Sequence, residues 1–143
     1  MFALDNDTTS LLFRGRNSGL NRRVLAVPPP QLWLPAVVVE EQFRGRLGVL
    51  AKLNPARPKE SPLIPIAYRD LVLTQEFLRQ FQILPYTQAD EDLYQRWSAE
   101  VKRVGTRDCR IAASAINRGL VVVTANRRHF QQIPGVSFLD WSV

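Results

Sequence analysis

Asp108 lies in the run GTRDCRIAASAINRGLVVVTANRRHF, Gly105 to Phe130, at a spacing that puts it on one helical face with Ile111, Ala112, Ala115 and Ile116. A helix starting near Thr106 therefore carries a carboxylate on its apolar side, in its first turn. Arg107, Arg110, Ser114, Asn117 and Arg118 form the opposite, solvated stripe. An acid at a helix start interacts favourably with the macrodipole, worth roughly 0.3–1 kcal/mol. An inward-facing acid is also what a site uses to hold a cation or a proton. Asp108 alone fits either reading.

Two further acids occupy comparable places. Asp5 follows Phe2-Ala3-Leu4, a short apolar run that reads as a buried strand, and precedes a short helix closed by Gly15. Asp7 or Thr8 is that helix's natural N-cap. Asp5 is then left without a capping duty at the carboxyl end of a strand, where open α/β sheets place their ligands. It can equally be structural, bonding loop amides. The run Leu34 to Val39 predicts a second buried strand, with Pro35 at its start, and Glu40-Glu41 opens a helix that continues to about Leu53. A first-turn Glu is ordinarily a dipole partner. Gly45, four residues after Glu41, costs about 1 kcal/mol in a helix interior, so the side below Glu41 is either crowded or must stay open.

Positioning these acids falls to a chain of 143 residues, 45% hydrophobic, that fits one domain over residues 1–143. Asn17 to Ala26 predicts a second short helix, which Pro28-Pro29-Pro30 ends. The proline-rich stretch Asn54 to Pro65 is an elbow, and Ile66 to Phe81 looks helical, so residues 40–81 predict a helical hairpin. Gln82 to Pro85 is a brief strand. Thr87 and Asp90 resemble a capping box, opening a helix that repeats Ala89, Leu93, Trp97 and Val101, with Asp90, Glu91 and Asp92 as solvated first-turn charges. Gly119 stops the Asp108 helix, Leu120 to Val123 is a buried strand, and Thr124-Ala125-Asn126 is a polar corner. Arg127 to Phe130 is one turn with Phe130 tucked in, Val136 to Leu139 a last strand, and Trp141 packs on its end. Helices alternating with strands predict an α/β fold, a mostly parallel sheet covered on both faces.

In such a sheet the strand ends lie along one edge, so Asp5, Glu41 and Asp108 are expected to converge, joined by Asn126. Close carboxylates without basic neighbours must take up protons or hold a cation. Oxygen ligands without His or Cys point to Mg²⁺ or Mn²⁺. An ion of that kind can hold a phosphodiester oxygen and supply a hydroxide for in-line attack.

Composition points the same way. The net charge is +6 and the pI about 10.2, and Lys52, Lys59 and Lys102 are the only lysines, so the positive charge is mostly arginine, whose fork suits phosphate oxygens. An acidic partner such as nucleic acid or an acidic protein segment is favoured, although a basic surface also serves solubility. The single cysteine, Cys109, excludes an internal disulfide and reads as a small buried hydrophobe. His129, the one histidine, has no obvious acid to complete a Cys-His pair. No signal peptide or membrane-length apolar run is visible, and a cytoplasmic protein is expected. A phospho-acceptor signalling domain also places acids at strand ends, but none of the three lysines follows a late strand as that class needs.

Four strings stand in order along nearly the whole chain: LDNDTTSLLFRG at Leu4 to Gly15, VVVEEQFRG at Val37 to Gly45, TRDCRIAA at Thr106 to Ala113, and LVVVTANRRHF followed by IPGVSFLDW. The set resembles PIN-domain ribonucleases of the toxin kind, found in VapBC-type toxin–antitoxin pairs. The first string is similar to the family's LDT[ND] opening, the next two to its second and third acid motifs, and the last to its TxN/D ending. The resemblance implies a PIN-like three-layer sandwich with about five strands, a divalent metal, single-stranded RNA as substrate, a homodimer and an inhibitory antitoxin partner. It implies metal-binding roles for Asp5, Glu41 and Asp108. Glu41 is preferred to Glu40 because it lies four residues before Gly45. Asn126 is the fourth position, a metal or water ligand through its amide oxygen or else the cap of the Arg127 turn. Many members carry a carboxylate there or at the position of His129; this chain has neither, which makes a weakened domain that binds RNA or a protein without cutting the rival expectation. Asp7 and Thr124 are possible supports. Arg107, Arg110, Arg127 and Arg128 flank the expected pocket, where they can guide an RNA backbone or serve as ordinary surface charge.

Overall fold

The computed structural model describes residues 1–143. Five strands form one sheet: β1 (Phe2–Leu4), β2 (Leu32–Pro35), β3 (Gln82–Leu84), β4 (Val121–Val123) and β5 (Phe138–Leu139). All pairings are parallel and the spatial order is β3-β2-β1-β4-β5. Eight helices cover it: α1 (Asn6–Arg14), α2 (Ser18–Ala26), α3 (Ala36–Lys52), α4 (Leu63–Leu78), α5 (Gln88–Arg96), α6 (Ala99–Lys102), α7 (Thr106–Asn117) and α8 (Arg127–Phe130). The chain builds outward from β1 to β3, then returns to the other side of β1 for β4. The strand order therefore reverses between β1 and β4, and in open parallel sheets the crevice at such a switch point is where ligands sit.

The core accounts for the short strands. Leu4, Leu34, Val122 and Val123 are fully buried, and Ile111, Ala112 and Ala115 of α7 lie among them with Phe130 from α8. Cys109 is buried as a small apolar residue should be. Trp141 packs its ring 4.8 Å from that of Phe2, closing the end of the sheet.

Three readings of the sequence change. Val37 to Val39 is not strand: β2 ends at Pro35 and α3 begins at Ala36. A run of buried apolar residues has no periodicity to separate strand from buried helix, and burial of Val37 and Val38 outweighs the mild β preference of valine. Glu41 consequently lies in the second turn of α3, beyond the reach of a first-turn dipole argument. The helix expected from Ala89 through Val101 is broken at Trp97–Ser98 into α5 and α6, and Ser98 caps the second piece. Asp90 is also not solvated. It is fully buried, with Thr87 N, Asn117 Nδ2 and Arg118 Nη1 all donating to it at 2.8–2.9 Å. That network ties the half-buried Arg118 and the still exposed Asn117 to α5, and of the stripe assigned to α7 Ser114 is buried.

The α3 and α4 helices pack on each other across the proline elbow, with Arg46 Nε donating to Thr74 Oγ1 at 2.9 Å. Gly48 lies within α3, and a Cβ built there meets no atom within 4 Å. Gly48→Ala is therefore expected to stabilise the fold by about 0.5–1 kcal/mol, seen as a rise in urea midpoint at constant slope. A lower midpoint would mean that the helix needs glycine there for a reason other than space.

Candidate active site

Asp5 leaves β1 and its backbone N–H bonds Val123 O at 3.0 Å, so the residue continues the ladder between β1 and β4 at the switch point. Its side chain is the N-cap of α1, accepting from Thr8 N at 2.8 Å. The cap expected at Asp7 or Thr8 thus belongs to Asp5, because the helix starts two or three residues earlier than that cap implied; Asp7 is an exposed first-turn residue. Capping uses one oxygen of a carboxylate that is only 2% exposed. Burial, opposed by hydrogen bonds from the Thr124 hydroxyl and from Thr8, pushes the Asp5 pKa up to about 6. Thr124 is fully buried and its hydroxyl also accepts from Asn126 N at 2.8 Å. One threonine at the end of β4 therefore aligns Asp5 and the following corner together.

Glu41 turns inward while Glu40 stays in solvent, paired with Arg44 at 2.9 Å. Glu41 Oε1 lies 3.7 Å from Arg107 Nε, and its Oε2 is buried with no hydrogen-bond partner. Burial is the main cause that lifts the Glu41 pKa to about 7, and the charges of Asp108, Asp7 and Asp5 add to it against the pull of Arg107. Gly105, whose φ of 141° favours glycine, is the N-cap of α7, which brings Asp108 to the same cleft. Asp108 Oδ2 accepts from His129 Nδ1 of α8 at 2.6 Å. His129, read as lacking an acid, thus has one, brought from 21 residues away by the β4 crossover.

Glu41, Arg107, Asp108, Arg110 and His129 line a cleft of about 550 Å³, and Asp5 is not part of that lining but lies within electrostatic reach of Glu41. No three Asp, Glu, His or Cys side chains close around a common centre. The acids share one neighbourhood, but Arg107 and His129 each divert one of them into a pair. Asn126 does not cap α8 with its side chain. Arg110 stacks on Tyr86 and Tyr94 and pairs with Glu91 at 3.5 Å, which commits it to the α5 contact. Arg127 and Arg128 are exposed and make no ion pair. A divalent cation suits the chemistry of this donor set: the carboxylates are hard oxygen ligands, one buried oxygen lacks any partner, and burial makes Asp5 and Glu41 costly to ionise without a counter-charge.

A pH dependence follows. The folded state holds the Asp5 and Glu41 protons more tightly than the unfolded chain does, so their stabilising contribution is complete below their ordinary values. It is lost as pH rises through about 6 and about 7. Asp90, held below its usual value, titrates beneath that window: burial would raise it, but bonds from the Thr87 backbone, Arg118 and Asn117 outweigh burial. Cation-free protein should therefore lose stability between roughly pH 4 and pH 7 in urea titrations. A profile that rises through the window would contradict the buried placement of the two acids.

Residues 7–136 match the family described as the PIN domain. Over 78 residues the chain is 42% identical to a Salmonella typhimurium protein named tRNA(fMet)-specific endonuclease VapC, covering 51% of this chain and 58% of that protein. A Shigella flexneri protein of the same name is 35% identical over 78 residues, covering 52% and 59%. The aligned chain thus spans a little over half the length of these relatives. The structure of DNA-bound VapBC from Salmonella typhimurium is similar with a TM-score of 0.77 and 26% identity, over 98% of this chain and 97% of that one.

Proposed function

The chain belongs to the PIN-domain family, and from that membership we propose that it is a divalent-metal-dependent endoribonuclease, acting on single-stranded RNA as the toxin of a toxin–antitoxin pair. The observation that carries the reading is Glu41: an inward carboxylate with a buried oxygen lacking any partner, repelled by Asp5, Asp7 and Asp108. Relatives named for tRNA cleavage support an RNA substrate, and the VapBC neighbour supports a small antitoxin as partner. Exposed Leu47, Leu63, Ile66 and Val72 on α3 and α4 are the proposed homodimer contacts.

In this reading Asp5, Glu41 and Asp108 hold Mg²⁺ or Mn²⁺, which when bound would stabilise charge on the phosphoryl oxygens and make a nearby water more acidic. The protein's own groups prepare the site. Thr124 and the α1 N-terminus fix Asp5; His129 orients Asp108 through Nδ1; Arg107 balances Glu41 until RNA and cation arrive. Asn126, at the end of the Thr124 corner, orients water or ligand through its amide oxygen. Arg127 and Arg128 attract the RNA backbone, the sequence-independent part of affinity.

The test is cleavage of single-stranded RNA with Mg²⁺ or Mn²⁺ by the native protein and by Asp108→Asn. Loss of about 100-fold or more in the variant is expected, the size typical of removing one electrostatic contact to the reacting group. Equal activity would remove Asp108 from the chemistry. The pairing of two acids with Arg107 and His129 favours a second reading, a domain that binds RNA or a partner without cutting. Native protein whose melting temperature ignores millimolar Mn²⁺ would select it.

A further inference from the structure

Glu41 also walls a second cavity, which Asp108 does not line. It holds about 220 Å³ and is lined by Asn6, Ser10, Arg14, Gln42, Gly45 and Arg46 without one apolar residue. Asn6, Ser10, Arg14, Gln42 and Arg46 each carry a side-chain donor. Gln42 is 7% exposed and its Nε2 donates to Asn6 Oδ1 at 2.7 Å and Ser10 Oγ at 2.9 Å. Each of these bonds uses one acceptor site of Asn6 and of Ser10, and the Asn6 amide and the Ser10 hydroxyl remain able to donate. The Arg46 guanidinium is set 5.0 Å over the Phe13 ring with Nε bonded to Thr74, so its outer nitrogens are held in place, and neither Arg46 nor Arg14 makes an ion pair. From Thr8 to Val39 the chain has no acid at all. Apart from Glu41 at the shared wall, the cavity has a complement of donors and two uncompensated cations.

Gly45 keeps this space open. A Cβ there meets nothing within 4 Å, so packing does not demand glycine, yet glycine costs about 1 kcal/mol relative to alanine in a helix interior. Of the two explanations that the sequence left for Gly45, the open side is the one observed. A donor-lined, doubly cationic hollow suits an anion with several acceptor oxygens. Because its wall is also a wall of the candidate active site, the anion that fits both is one repeated along a chain.

We propose that this cavity is a backbone-phosphate subsite, holding the phosphate of single-stranded RNA that neighbours the one in the cleft. The inference rests on the nuclease reading and adds a subsite to it. The test is fluorescence anisotropy of a labelled single-stranded ribo-oligonucleotide in EDTA across a salt series, with native protein, Arg14→Ala, Gly45→Glu and Arg96→Ala. Arg96→Ala removes equal charge from a position lining neither cavity. The Gly45 variant adds a carboxylate at the hollow from a position where a Cβ meets nothing within 4 Å, and circular dichroism checks that it folds. Arg14→Ala should weaken binding several-fold more than the control and flatten the salt slope by about 0.7, and Gly45→Glu should weaken it at least as much. Affinity and slope equal to the control in both variants would overturn the subsite, as would a glutamate-rich peptide outcompeting RNA for the native protein. Native protein that binds RNA through these residues but never cuts it with Mn²⁺ would overturn the nuclease reading and leave the subsite standing.

Discussion

Asp5→Asn is expected to lose about 100-fold or more of the RNA-cleaving rate while melting higher than the parent in cation-free buffer at pH 8. The two effects have one origin. Asparagine caps a helix as well as aspartate does, so the bond from Thr8 N and the start of α1 survive the exchange. What disappears is a negative charge that is 2% exposed and carries a pKa of about 6. Above that pH the folded protein holds the carboxylate ionised at a cost, and the exchange relieves roughly 2–3 kcal/mol. The same charge is what would bind a cation, so the stabilised variant is the inactive one. Activity from timed RNA digestion and stability from urea titration are both needed. A variant that is both inactive and less stable would mark Asp5 as a structural cap.

Arg118→Ala should cost about 3 kcal/mol of stability. Arg118 Nη1 donates to both Asp90 oxygens at 2.9 and 3.0 Å and to Ser114 O at 3.0 Å, tying α5 to α7. Its removal leaves the buried Asp90 charge with only Asn117 and the Thr87 backbone. Adding Asp90→Asn should recover part of the loss, since the remaining partner is then neutral; a double variant no more stable than Arg118→Ala would show that the loss comes from packing and not from the orphaned charge. Because α7 carries Asp108, a shifted α5–α7 contact should also lower RNA cleavage.

The architecture was legible wherever a local signal had one meaning. Gly15 and Gly119, both with positive φ near 65°, end helices as read, and the Thr87–Asp90 capping box forms as read. The alternation of helix and strand reads as the parallel sheet of five strands that forms, whereas Asp5 and Asp108, expected to converge with Glu41, come within electrostatic reach of it without three acids closing on one centre. Misreadings arose where a residue's partner is distant in sequence. Asp90 looked like surface charge because Arg118 is 28 residues away. His129 looked idle because Asp108 reaches it only through the crossover of β4. Being the only histidine, at one of two positions where many members of the resembling family carry an acid, it was the available signal. The valines of α3 misled because local preference is weaker than burial. Glu41's inward turn and Gly45's open side depend on packing that no spacing argument fixes.

Calorimetric titration of Mn²⁺ into the native protein and into Asp5→Asn at pH 8 tests the central claim most directly, that the fold gathers these acids to hold a divalent cation. The account predicts saturable binding to the native protein that Asp5→Asn loses. Identical heats for the two proteins, or no binding to either, would contradict it.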